Sequence, residues 1–212
     1  MAYAVKEVFA TLQGEGAQAG RVAVFCRFTG CNLWSGLERD RATASCRFCD
    51  TDFRGTDGPG GGRFESAALL ADHIDATWCQ DGRGGPPFVV FTGGEPSLQV
   101  DQQLVAECKA RGFELAIETN GTHHLPPGLD WVCVSPKPRS KLVVVEGDEL
   151  KLVFPQPELT PDTFESLAFK HYFLQPMDGT ARTQNTAAAV AWVLGHPRWR
   201  LSVQTHKMVG IP

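Results

Sequence analysis

The sequence has little that would suit a polyanion or a bilayer. Its 20 Lys and Arg are outnumbered by 24 Asp and Glu, giving a formal net charge of −4, so it offers no broad positive surface for nucleic acid. No apolar run approaches the length of a membrane span. Residues 1–9 alternate charged and apolar side chains; they do not form the basic start, apolar stretch and small-residue cleavage site of a secretory leader. Internal repeats and low-complexity linkers are also missing. These absences lead to the expectation of a cytoplasmic protein that works on a small molecule and forms one domain over residues 1–212. In that compartment the seven cysteines stay thiols or become metal ligands.

What the chain does have is a loop built for chemistry. Cys31, Cys46 and Cys49 stand in a Cys-x14-Cys-x2-Cys spacing within an enlarged loop at 30–51, after an apolar run at 21–29 that reads as a strand. The loop carries Asn32, Gly36 and a charged run at 38–41, with no sustained apolar period. Two thiolates so close in sequence can grip one metal centre from a single turn, and a third from the strand end completes a face. A structural zinc site is normally closed by four protein ligands, whereas an iron-sulfur cluster on three cysteines leaves an open iron. Taken alone, the loop fits a zinc-binding module as well as a cluster. Cys26 lies inside the apolar run and reads as a small core residue; Cys79, Cys108 and Cys133 read as packing or helix surface.

Around this loop, strands alternate with helices. A short strand at 5–9 leads into a polar loop, where Gln13 and Glu15 read as hydrogen-bonding groups at the mouth of the next strand. Gly14-x-Gly16-x-x-Ala19 imitates a dinucleotide fingerprint, but Gly20 leads into a strand where that motif needs a helix. The glycine-rich stretch 55–62 lacks the lysine and hydroxyl of a phosphate loop and reads as a mobile connection. A helix over 66–76 would put Ala68, Leu69, His73 and Ile74 on or near one face.

The run 87–92 reads as a strand buried on both faces, as in a parallel sheet. It ends in Gly93-Gly94-Glu95-Pro96, where glycines admit a ligand to the backbone and the glutamate offers a carboxylate to an ammonium group. Asp101 caps a helix to about 111, and strands follow at 113–117, 131–134, 149–154, 171–174 and 199–203. Between the later strands lie a short helix within 161–168 and one capped by Asn185 and running to about 194. Strand after strand ends in a polar or glycine-containing signature, as when a site is assembled from C-terminal strand ends. The expected fold class is α/β, a partial, incomplete parallel β/α barrel of about six strands with a reduced number of helices.

Taken together, the cysteine triad and Gly93-Gly94-Glu95-Pro96 resemble the radical S-adenosylmethionine superfamily. More narrowly, the chain resembles the 7-carboxy-7-deazaguanine synthases of the queuosine and deazapurine pathways. The resemblance runs through residues 11–16, 46–52, 91–96, 117–121, 134–137, 175–178 and 204–207, nearly the whole length. The superfamily's usual spacing is Cys-x3-Cys-x2-Cys, and some members of the synthase family carry the longer first interval seen here. The strand running into Gly-Gly-Glu-Pro also favours the cluster over zinc.

The resemblance implies a 4Fe-4S cluster on Cys31, Cys46 and Cys49, with S-adenosylmethionine on the fourth iron. It implies Gly94 and Glu95 near the methionine ammonium, Phe48 and Asp50 beside the cofactor, and Ser135, Pro136 and Lys137 at its ribose or carboxylate. Gln175, Pro176, Met177 and Asp178 would line the adenine side. By the same similarity the substrate is 6-carboxy-5,6,7,8-tetrahydropterin, held by Leu12, Gln13, Gly14, Glu15 and Thr92, with His206 nearby. Arg27, with its two-pronged guanidinium, suits the pterin carboxylate. Thr51 would be a ligand of Mg2+, and the carboxylate of Pro212 would reach the substrate. An external electron donor such as flavodoxin and a homodimer are implied as well, with neither nucleic acid nor membrane as partner. Two alternatives stand beside this: a glycyl-radical-activating enzyme of the same superfamily, and a non-enzymatic zinc-binding module. Residues 12–16 and Asp50-Thr51-Asp52 favour the small-molecule synthase over the first.

Overall fold

A computed structural model describes residues 2–80, 82 and 84–212. In chain order the strands and helices begin with β1 (Tyr3–Leu12), β2 (Val22–Phe28), β3 (Gly62–Phe64), α1 (Ala67–Cys79), β4 (Phe88–Gly93) and α2 (Gln102–Ala110). They continue with β5 (Glu114–Thr119), β6 (Trp131–Val134), β7 (Glu146–Phe154), β8 (Ala168–Pro176), α3 (Arg182–Gly195), β9 (Trp199–Leu201) and α4 (Thr205–Val209). Among the described residues, nine strands form one sheet in the order β3-β1-β2-β4-β5-β6-β7-β8-β9. The run from β2 to β9 is parallel throughout, while β1 pairs antiparallel with both β2 and β3. Seven parallel strands thus replace the six or so expected, with an antiparallel pair added at one edge. The sheet is open, and among the described residues no pairing joins β9 to β1 or β3. Its two ends still approach each other: Thr205 N donates to Gly14 O at 2.9 Å, and Gly16 N to Ser202 Oγ at 2.9 Å.

Alternation along each strand decides what faces where. On β2, β4 and β5, Val24, Cys26, Phe28, Val89, Phe91, Leu115 and Ile117 point to the helix side and pack with α1 and α2. Ala23, Phe88, Val90 and Ala116 point the other way and fill the N-terminal end of the concave face, with Phe25 and Trp131 against them. A second core behind β7 and β8 contains Leu150, Leu152, Tyr172, Leu174 and Trp199, under α3. The concave face is therefore apolar at its base, which leaves its polar positions for the strand ends.

Several elements differ from the sequence expectation for identifiable reasons. The buried stripe of α1 is Ala67, Leu70, Ala71, Ile74 and Trp78, rotated from the expected face, and Leu69 is half exposed. Ser66 caps this helix through Leu69 N, as Asp101 caps α2 through Leu104 N. Ala181, not Asn185, precedes α3; Asn185 lies within the helix and donates its side-chain amide to Met177 O. The short helix expected within 161–168 is present as a 3-10 turn at Pro161–Phe164, and Ala168 already belongs to β8. α4 was not expected at all.

The glycine-rich stretch is the largest correction. Gly58 N donates to Lys6 O, Val8 N donates to Pro59 O, and Lys6 Nζ pairs with Asp57 at 2.8 Å. The stretch then becomes β3 on the edge of β1. Its glycines serve close approach to β1: a Cβ at Gly61 would lie 2.1 Å from Lys6 O and 2.8 Å from Thr56 O, both fixed backbone atoms. Gly61→Ala is expected to cost about 1–3 kcal/mol by overpacking. Gly62→Ala, where the added carbon meets only ordinary contacts with Phe64, should leave the melting temperature unchanged or higher. Thermal unfolding of the two variants side by side checks this; equal melting temperatures would show that the stretch is loosely held.

Candidate active site

Six of the seven parallel strands bring a concave-facing side chain near their C-terminal ends to one rim, and the sheet's curl closes these residues around a cavity of about 420 Å3. Arg27, Thr92, Glu118, Cys133, Lys151 and Gln175 line it from β2, β4, β5, β6, β7 and β8. Most residues named from the sequence meet here. Leu12, Gln13, Gly14 and Glu15 come from the end of β1 and the loop after it, and Cys31, Cys46, Phe48, Cys49, Asp50 and Thr51 from the long loop. Gly94, Ser135, Lys137, Pro176, Met177, Asp178, His206 and Pro212 complete the wall. Glu95 and Pro136 are buried behind it and do not line the cavity.

The long loop has its own small core. Trp34, Ala44 and Phe53 are buried together, with the rings of Trp34 and Phe53 edge to face at 5.6 Å. Arg41 stacks over Trp34 at 4.1 Å and donates to Arg47 O and Cys49 O, so the inserted residues grip the turn that bears Cys46 and Cys49. Cys49 is held down to about 6 by its hydrogen bond with Cys46, which is itself pushed well above the usual thiol range by that bond and by burial. Burial raises Cys31. Among the described residues no three His, Cys, Asp or Glu side chains converge closely enough to hold one metal ion. Cys31, Cys46 and Cys49 all open on the cavity, and three thiols so placed are a donor set that fits a cluster in which each thiolate binds its own iron.

Gly93 and Gly94 are needed because the chain after β2 crosses them. A Cβ on Gly93, whose φ is +133°, would lie 2.2 Å from Phe28 O, and one on Gly94 would lie 2.0 Å from Gly30 O. Glu95 N donates to Gly30 O at 2.8 Å, which ties the end of β4 to the residue before Cys31. The Glu95 side chain is fully buried and turned inward, accepting from Thr119 Oγ1 at 2.6 Å, Asn120 N at 2.7 Å and Ser97 N at 3.0 Å. It joins the ends of β4 and β5, and Gly94 is left to face the cavity.

Opposite the cysteines, the floor is a buried ionic network. Lys151 Nζ lies 2.6 Å from Glu15 Oε2 and 3.3 Å from Glu118 Oε1, and Gln13 Nε2 donates to that Glu118 oxygen at 3.0 Å. Burial would raise the Glu15 carboxyl, but the Lys151 charge and its hydrogen bond outweigh this and hold it near 2. Burial likewise opposes the charge on Lys151, and Glu118 and Glu15 overcome it, keeping the amine well above its ordinary value. Glu149, raised by burial, accepts from Ala17 N at 2.9 Å and from the Cys133 thiol at 3.5 Å. A Cβ at Gly16, φ +65°, would fall 2.0 Å from Glu149 Oε1, so only glycine fits there.

Lys151, Glu149 and Gln204 were missed in the sequence. The available signal was two charges at alternate positions, Glu149 and Lys151, in the otherwise apolar run 149–154. At period two these point to one face, and a buried strand carries such charges only when they are paired.

On the remaining rim, Arg27 Nε donates to Glu7 Oε1 at 2.7 Å; these are cross-strand neighbours on β1 and β2. Lys137 Nζ donates to the Ser135 hydroxyl at 2.6 Å and to Ser135 O at 2.8 Å. A Cβ on Gly14 would lie 2.0 Å from His206 Nδ1, so the imidazole rests directly on that glycine. Thr11 Oγ1 donates to Pro212 O at 2.7 Å.

No family model matches the chain. It is 63% identical over 212 residues to the 7-carboxy-7-deazaguanine synthase of Bordetella pertussis, covering all of both chains. It is 62% identical over 213 residues to that of Bradyrhizobium diazoefficiens, again over the full length of both. In structure it is similar to the crystal structure of QueE from Escherichia coli, with a TM-score of 0.71, 26% identity, and 96% and 94% of the two chains covered. Identity at this level over the whole length, with the same open, helix-poor sheet, places the chain in the family of the 7-carboxy-7-deazaguanine synthases.

Proposed function

We propose that the chain converts 6-carboxy-5,6,7,8-tetrahydropterin to 7-carboxy-7-deazaguanine by radical S-adenosylmethionine chemistry: hydrogen abstraction at C6, ring contraction and loss of ammonia. One observation supports this most strongly: the three cysteines and the pterin-side residues Gln13, Glu15, Arg27 and Thr92 open on the same cavity. Cys31, Cys46 and Cys49 would hold a 4Fe-4S cluster. With S-adenosylmethionine bound, the cluster would supply the single electron that cleaves the sulfonium to an adenosyl radical.

The chain's own residues bind, orient and exclude water. Lys137 and Ser135 offer an ammonium and a hydroxyl to the cofactor's methionine carboxylate or ribose. Gly94 exposes backbone to its amino group, and Phe48, Asp50 and the segment Gln175–Asp178 surround the rest, with Pro136 and Glu95 backing the wall. Arg27, its plane set by Glu7, presents its terminal nitrogens to the pterin carboxylate. Gln13 and Glu15 are acceptors for the N–H groups of the pterin edge; Leu12, Gly14, Thr92, His206 and Pro212 enclose the ring. Mg2+ on the Thr51 hydroxyl would fill its shell with substrate oxygen and water. The reading is completed by an external one-electron donor such as flavodoxin, a homodimeric assembly and a cytoplasmic setting. Among the described residues no helix is long and apolar enough to cross a membrane.

The test is anaerobic incubation of reconstituted protein with the pterin, S-adenosylmethionine, reductant and Mg2+, followed by mass analysis; a product other than the deazaguanine acid would refute the assignment. Wild-type protein should carry about four irons and four sulfides per chain. Changing any one of Cys31, Cys46 or Cys49 to alanine should lower that content and bring product below detection. Arg27→Lys keeps the charge but loses the fork. It should reduce kcat/KM about 10–100-fold, the worth of one charge-assisted hydrogen bond.

Glu15 gives a pH prediction. Its folded pKa, about 2, lies below the ordinary 4.5, so its contribution to stability is complete above about pH 4.5 and is lost as pH falls toward 2. Denaturant unfolding at pH 6 and pH 3 should show a smaller acid loss in Glu15→Gln than in wild type. An equal loss in both would mean that Glu15 is not ionised against Lys151.

A further inference from the structure

The segment after β9 touches both halves of the cavity. Toward the loop after β1, Thr205 donates its backbone N–H and its hydroxyl to Gly14 O, each at 2.9 Å, and Gln204 Nε2 donates to Glu15 Oε1 at 3.0 Å. Toward the cysteine loop, the same Gln204 nitrogen lies 3.3 Å from Asp50 Oδ2. Lys207 Nζ sits 2.6 Å from Asp50 Oδ2 and 2.6 Å from Asp178 Oδ2. Asp50 follows Cys49, and Asp178 follows β8, so one ammonium ties the cysteine loop, the β8 rim and α4 together.

Little apolar burial holds α4. It buries no residue, Met208 and Val209 are 65% and 66% exposed, and Gly210 ends it in the left-handed region at φ +72°. Polar contacts at the rim hold it, with little apolar burial, and an element so held opens at low cost. Those contacts are half exposed, and ion pairs in that setting are weak because water competes for both partners. A ligand seated against Asp50 and Asp178 would displace that water and strengthen the pairs.

We propose that Lys207 and Gln204 are positioning residues that couple the two ligand sites: cofactor bound against Asp50 and Asp178 draws α4 down onto Gly14 and Glu15 and so tightens pterin binding. This rests on the functional reading above. Linkage then requires the pterin to tighten S-adenosylmethionine binding by the same factor.

Calorimetry on the anaerobically reconstituted holoenzyme reads this factor as the ratio of S-adenosylmethionine Kd values without and with saturating 6-carboxy-5,6,7,8-tetrahydropterin. The wild type should show about 5–20-fold tightening. Lys207→Met should bring the ratio below about twofold, and Lys207→Arg, which keeps a cation between the aspartates, should largely retain it. Amide exchange gives a second readout: S-adenosylmethionine alone should slow exchange across Thr205–Val209 in the wild type and not in Lys207→Met. Independent binding in the wild type, or an unchanged ratio in Lys207→Met, would overturn the coupling and leave the functional reading standing. A wild-type holoenzyme that binds no S-adenosylmethionine would overturn both.

Discussion

A lysine buried between two carboxylates sets the shape of this site. Lys151 reaches inward from β7 to Glu15, on the loop after β1, and to Glu118, at the end of β5. These elements are far apart in sequence, and the sheet leaves them unpaired with one another. A buried ion pair contributes little net stability, since desolvation offsets most of the attraction, but removing one partner typically costs about 3–5 kcal/mol. The network therefore acts mainly on position. It keeps Glu15 an anion at the cavity floor, and through Gln13 and Gln204 it aligns two amides beside it. Glu149 supports the same loop from below and leaves room at Gly16 only for hydrogen.

The cysteine side is fixed by different means. There the chain relies on close backbone approach and on a small aromatic core. Gly93 and Gly94 let Phe28 and Gly30 pass within hydrogen-bonding distance, and Glu95 locks the ends of β4 and β5 behind them. The fourteen residues between Cys31 and Cys46 are a fastened flap, whose Trp34 and Arg41, with Phe53 from beyond Cys49, hold the Cys46–Cys49 turn against the cavity. One half is thus set by charge and the other by packing, and the segment after β9 spans the seam between them.

What the sequence disclosed was local, and what it concealed was long-range. The cysteine spacing, the glycine pair after β4 and the polar strand ends sit in short motifs, each legible from neighbours within a few residues. So was the cap Asp101. The glycine-rich stretch was misread because its partners, the backbone of Lys6 and Val8, lie some fifty residues earlier. Glu95 reads as a ligand from its motif, yet its three donors lie at Ser97, Thr119 and Asn120, two of them on the next strand's end. Lys151 shows only as a charge inside a strand; its meaning depends on a loop 136 residues away.

The dependence of the pterin half on Lys151 is tested most directly by measuring pterin affinity and iron content together in Lys151→Met. The expected result is a full complement of iron with pterin binding weakened at least about tenfold, because Glu15 and Glu118 would then repel each other and the loop after β1 would shift. Pterin affinity within twofold of wild type would contradict this account. So would a parallel loss of iron, which would mean that the charge network also fixes the cysteine half.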